Sequence, residues 1–178
     1  MTLPERTIVP LVAADGVAIV MWKKLAICVA LACALNVASA YRADALLDKT
    51  RFLAHLGVAY FAFHHWVMKP YGEGAFQQGA PHRTAALVKG GAALLFAYHE
   101  VKVSQKIAEK SSDPLLQKLD AGLGGLTQSF SSIGQRMKAG QFSPNDVNTL
   151  NDQTSTLSSQ AAAGGAKIKD VPAAIPGT

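Results

Sequence analysis

Between Leu116 and Met137 the large apolar residues fall at alternating steps of three and four: Leu116, Leu119, Leu123, Leu126, Phe130, Ile133 and Met137. That spacing is the a/d seam of a helix, sustained over about three heptads. A strand, with its period of two, cannot gather these residues on one face. The ends are punctuated as a helix requires. Asp113-Pro114 places a side-chain acceptor at the N-cap and a proline at the first helical position. Gly140, just past Lys138, is the residue type that accepts the left-handed conformation at a helix end. Ser143-Pro144-Asn145-Asp146 then restarts a helix, with Ser as cap, Pro at N1 and Asp near the positive end of the helix dipole. Its seam is Val147, Leu150, Thr154, Leu157 and Ala161, again three and four apart. Two heptad helices joined by a short loop form an antiparallel hairpin.

A hairpin with one apolar stripe needs something to cover it, and the cover precedes it in the chain. Phe52 to Met68, FLAHLGVAYFAFHHWVM, is the most aromatic and longest run free of Lys, Arg, Asp and Glu after the N-terminal leader. Phe52, Leu56, Ala59, Phe63 and Trp66 recur at helical spacing, as do Leu53, Tyr60 and Val67. A helix apolar nearly all round sits at the centre of its domain or spans a membrane. Its 17 residues, at about 1.5 Å each, reach about 25 Å, short of a hydrocarbon core of about 30 Å. His55, His64 and His65 are also costly in lipid, so a buried helix is the better reading. Lys69 to Arg83 follows as a turn-rich connector, interrupted by Pro70, Gly72, Gly74, Gly79 and Pro81. It contains no phosphate-loop pattern.

Thr84 to Lys110 reads as a second apolar helix whose later half turns polar, with Lys102, Lys106 and Lys110 forming a solvated face. Gly90 and Gly91 each cost a helix interior about 1 kcal/mol relative to Ala. Close approach of another backbone, that of the aromatic helix, would explain them. From Gly164 periodicity is lost. The expected fold class is therefore all-α, with about four helices: two central apolar helices plus an antiparallel heptad hairpin, after an N-terminal signal helix. Residues 41–162 form a single helical domain and 163–178 a flexible tail.

The leader is read from three features in order: Lys23-Lys24, the uncharged run Leu25 to Val37, and Ala38-Ser39-Ala40. A basic region, an apolar helix and an A-x-A site make residues 21–40 a secretory signal peptide, with the lysines left on the cytoplasmic side. The apolar run is shorter than the roughly 20 residues of a span. Cleavage before Tyr41 is therefore favoured over an uncleaved anchor. Residues 1–20 carry no periodicity and read as a mis-assigned start, with Met21 the first residue, or as a disordered extension. Both cysteines, Cys28 and Cys33, lie in the leader. Ile27 spoils a lipobox at the first, and Ala30 with Leu31 at the second. The domain after Ala40 thus has no disulfide, no thiolate nucleophile and no Cys-ligated metal.

Charge says little about partners. The 17 basic residues give a net charge of +5 but form no block of five, so no nucleic-acid footprint is present. The histidines are the only constellation worth weighing. His55 and His64 are nine residues apart, on opposite sides of a helix at about 100° per residue, and His64 and His65 are about 100° apart. His99-Glu100 could meet one of the three in an antiparallel pairing. Candidate metal ligands are then His64, His65, His99 and Glu100. Yet Glu-x-x-His pairs, H-E-x-x-H and C-x-x-C-H are all absent. The expectation is no metal, no cofactor and no catalytic residue, with the histidines capped by backbone or facing water. The serines lack a G-x-S-x-G context, and no carboxylates pair in an apolar setting.

The segments FAFHHWVMKPYGEGAF and ALVKGGAALLFAYHEVK, with the heptad hairpin, resemble exported helical proteins of high-GC Gram-positive bacteria that have no assigned function. The resemblance implies a place in the envelope of a bacterium with one main membrane, and it carries no activity or binding residue. The expected function is that of an exported, non-catalytic cell-envelope interaction module. Its partner would be an envelope protein or the membrane surface, with self-association through the heptad hairpin as a further route. The alternative is a small-molecule, metal or haem binder, or an enzyme, using the aromatic–histidine core around residues 55–100.

Overall fold

The computed structural model describes residues 44–175. The expected signal peptide at 21–40, the extension before it and both cysteines lie outside them. The described chain is all-α, as the seams require: α1 spans residues 44–72, α2 Arg83–Lys110, α3 Pro114–Lys138 and α4 Pro144–Ala163. Every residue of the two heptad seams is buried, none more than 3% exposed. The hairpin seam is thus filled within one chain and leaves only its outer faces for contact with others. Among the described residues, no helix is long and apolar enough to cross a membrane.

Each helix runs antiparallel to the one before it. Against α1, the hydroxyl of Ser104 donates to the carbonyl of Phe52 at 3.4 Å, while Gly90, further back in α2, lies under the carbonyl of Trp66. Gly91 of α2 meets Gly134 and Lys138 of α3. Arg136 near the end of α3 reaches Asp146 at the start of α4 at 2.6 Å. The expectation for the paired glycines therefore holds for one backbone and needs a second. Gly90 accommodates the Trp66 carbonyl of the aromatic helix together with the Met137 side chain of α3, and Gly91 accommodates the backbone of α3.

The ends follow from local chemistry. The Asp113 carboxylate accepts the backbone N–H of Leu115 at 2.8 Å, satisfying one orphan donor of α3. Gly140 adopts φ +78°. The amides of Gln141 and Gly140 close back on the carbonyls of Arg136 and Met137, both at 2.9 Å, which is a Schellman cap. Gly165 repeats the motif after α4 at φ +75°, with Ala166 N–H bonded to the Ala161 carbonyl at 2.8 Å. Ser143 occupies the N-cap of α4, but its hydroxyl makes no capping bond.

Two segments behave differently from their sequence reading. Pro70 sits inside α1 rather than ending it. The helix widens to a π turn over His64–Met68, and the Lys69 N–H bonds to the His64 carbonyl. A proline ring crowds the carbonyl four residues back, and a π turn re-aims that stretch of backbone. The aperiodic segment after α4 has no regular secondary structure, yet it lies against α1 instead of hanging free. Ala166, Ile168 and Ile175 are buried, and the Val171 N–H donates to the carbonyl of Gly57 at 3.0 Å. Gly57 makes room for it, since a Cβ there would collide with the Lys169 carbonyl.

Candidate functional site

The fold separates the histidines. His55 Nδ1 pairs with Glu100 Oε2 at 2.6 Å, tying α1 to α2. His64 Nδ1 pairs with Asp170 of the tail, at 2.8 Å to Oδ2 and 3.0 Å to Oδ1. His65 is exposed, stacked at 5.1 Å on Phe61 and edge-on to Trp66. His99 faces outward on α2. Of the four candidate ligands, then, Glu100 goes to His55, His64 goes to the tail, and His65 and His99 stand apart. Among the described residues there is no group of three or more His, Cys, Asp or Glu side chains that could hold a metal ion. The antiparallel pairing foreseen for His99-Glu100 is made by its glutamate alone.

An ionised carboxylate only accepts hydrogen bonds, so each of these histidines presents Nδ1–H to its partner. The His64–Asp170 pair opens on a cavity of about 310 Å³, walled by Tyr60, Ser155, Ser158 and Ser159. The Tyr60 hydroxyl donates to the Thr154 carbonyl at 2.7 Å. Burial, reinforced by the nearby Asp170 charge, pushes the Tyr60 phenol well above its ordinary range, so it stays neutral. The Ser159 hydroxyl is given to the Ser155 carbonyl at 2.9 Å. Among the described residues no serine hydroxyl bonds to His64, and both members of the pair are 41% exposed. The imidazole is thus oriented by Asp170 at the mouth of the cavity, and the pair ties the tail to α1.

The larger cavity, about 540 Å³, lies where the α1–α2 connector meets the α3–α4 turn. Tyr71 comes from the last turn of α1, Phe76 from the connector and Phe142 from the α3–α4 turn. The Phe142 ring packs at 5.8 Å from Tyr71 and 5.1 Å from Phe76, tilted by about 50° to each. Phe76 is buried as the floor, and its carbonyl accepts from Arg83 Nε at 3.0 Å. Between Phe76 and Arg83 the connector turns through Gly79 at positive φ and through His82 at φ 56°. That last conformation is uncommon for a residue other than glycine. The sequence reading treated this connector as punctuation only. The signal it passed over is the placing of Tyr71, Phe76 and Phe142 in turn-rich segments, where an aromatic residue has no seam to fill.

Together these features define a small four-helix domain with polar staples around an aromatic central helix and an aromatic cleft at one end. Comparison of the chain with protein-family models, with curated proteins and with solved structures finds no match to any of them.

Proposed function

We propose that this chain is an exported, non-catalytic helical module of the cell envelope that works by binding a partner protein or the membrane surface. Export rests on the signal pattern at 21–40. The observation that carries the binding reading is the start of α1. Leu46 and Leu47 are 66% and 61% exposed there, the most exposed of the large apolar side chains among the described residues. They lie a few residues beyond the expected cleavage point and ahead of the buried aromatic stretch. Neighbouring exposed leucines at one end of a domain whose other apolar seams are filled mark a contact surface. The non-catalytic part is supported by the use made of the histidines, two of which pin elements together.

The test is fractionation of the host envelope, followed by crosslinking and identification of what is captured by the native chain and by a Leu46→Ser, Leu47→Ser variant. The reading requires envelope association that the double substitution weakens while the melting temperature holds. Recovery of a free monomer with no crosslinked partner would overturn it.

A further inference from the structure

Beyond that reading, we propose that the cleft between the α1–α2 connector and the α3–α4 turn is a binding site for a small aromatic carboxylate. Three observations meet there. The cavity, about 540 Å³, falls within the 300–1,000 Å³ usual for small-molecule sites. Its walls are planar: the Phe142 ring stands tilted against both Tyr71 and the buried Phe76, which suits offset or edge-on packing of a flat ring. At its rim is one cation. Arg83 gives Nε to the Phe76 carbonyl, and its two terminal nitrogens have no hydrogen-bond or ion-pair partner among the described residues.

The bond through Nε fixes the guanidinium while leaving its terminal N–H groups available, and those groups match a carboxylate. Both α2 and α4 also begin at this cleft, so the positive ends of two helix dipoles add to the preference for an anion. A quaternary ammonium, the other usual guest of aromatic walls, is disfavoured by the same Arg83. The strained backbone at His82, next to Arg83, belongs with this assignment, since such conformations concentrate where a side chain must be held in place.

The experiment uses the full chain, with 2-naphthoate as the probe and two controls: the neutral 2-naphthamide and phenyltrimethylammonium. Binding is followed by NMR shifts of the Tyr71 and Phe142 rings and by calorimetry. Naphthoate should bind at the cleft at least about tenfold more tightly than naphthamide, the value of one charge-assisted contact. Arg83→Gln should bring naphthoate down to the naphthamide level without changing naphthamide, and Phe142→Ala should weaken both. Arg83→Lys keeps the charge and should retain part of the preference, which preserves the test if Arg83→Gln disturbs the connector. Equal binding of naphthoate and naphthamide, tighter binding of the ammonium, shifts that avoid Tyr71 and Phe142, or no binding at millimolar concentration would each overturn the proposal. Loss of the surface contact made by Leu46 and Leu47 would leave these outcomes unchanged.

Discussion

Replacing Gly91 by Ala sets two effects of known sign against each other. Alanine is favoured over glycine in a helix interior by about 1 kcal/mol. In α2, however, a Cβ at Gly91 would lie 2.7 Å from the carbonyl oxygen of Gly134 and 2.7 Å from the backbone nitrogen of Lys138, where ordinary contact begins at 3.4 Å. Both obstacles belong to the backbone of α3, so no rotamer change relieves them, and the helices must separate by roughly 0.7 Å. Separation loosens the close-packed side chains on either side of the crossing, a cost of about 1–3 kcal/mol and at times more. The packing cost should win, leaving a net loss of about 1–2 kcal/mol. Gly125→Ala supplies the control. It is exposed in the middle of α3, and a methyl group added there would have no neighbour within 4 Å. There the propensity acts alone and should stabilise by about 0.5–1 kcal/mol. Urea unfolding of the two variants beside the parent reads the contrast. A Gly91→Ala protein as stable as Gly125→Ala would refute the α2–α3 crossing.

Three further outcomes are expected. Leu126→Ala, in the middle of the filled seam and 1% exposed, should cost about 2–5 kcal/mol in the same assay; a loss under about 0.5 kcal/mol, typical of surface sites, would remove the seam from the account. Tyr60 keeps its proton in the folded state to a higher pH than in the unfolded state. Its contribution is therefore complete below the ordinary tyrosine value of about 10 and is lost as pH rises beyond it. Tyr60→Phe should flatten the fall in urea midpoint between pH 9 and pH 11, the range chosen around that ordinary value of about 10, and an unchanged slope would refute it. Gly57→Ala should lift the tail off α1 through collision with the Lys169 carbonyl, so that trypsin cuts sooner after Lys167 and Lys169 while helical circular dichroism is kept.

What could be read from the sequence was what repeats along it. The seams of α3 and α4, the Asp113 cap and the Gly140 terminator are local patterns, and each sits where its spacing puts it. The paired glycines announced a close approach but not whose, because adjacent helical positions face about 100° apart and here look toward different neighbours. The tail was opaque for a different reason. An irregular segment pinned by Val171, Asp170 and two isoleucines has no period, and its partners, Gly57 and His64, lie far back in the chain. The aromatic cleft was hidden in the same way, since Tyr71 and Phe142 meet only after both turns have closed.

The same limit explains where the polar contacts are placed. The aromatic stretch of α1, residues 52–68, is apolar nearly all round, so its pattern alone sets its rotation only weakly. Bonds to fixed points remove that freedom. Glu100 of α2 holds His55, 45 residues away. The Thr154 carbonyl of α4 holds Tyr60 across 94 residues, and Asp170 of the tail holds His64 across 106. The opposite placement of His55 and His64, which prevents them from sharing a metal, is the geometry needed to pin α1 from two sides. Buried and half-buried polar contacts add little net stability on average. They do penalise any rotation that leaves them unmade. His55 and His64 are thus accounted for by the register they impose, while His65 lies outside that scheme, stacked on Phe61.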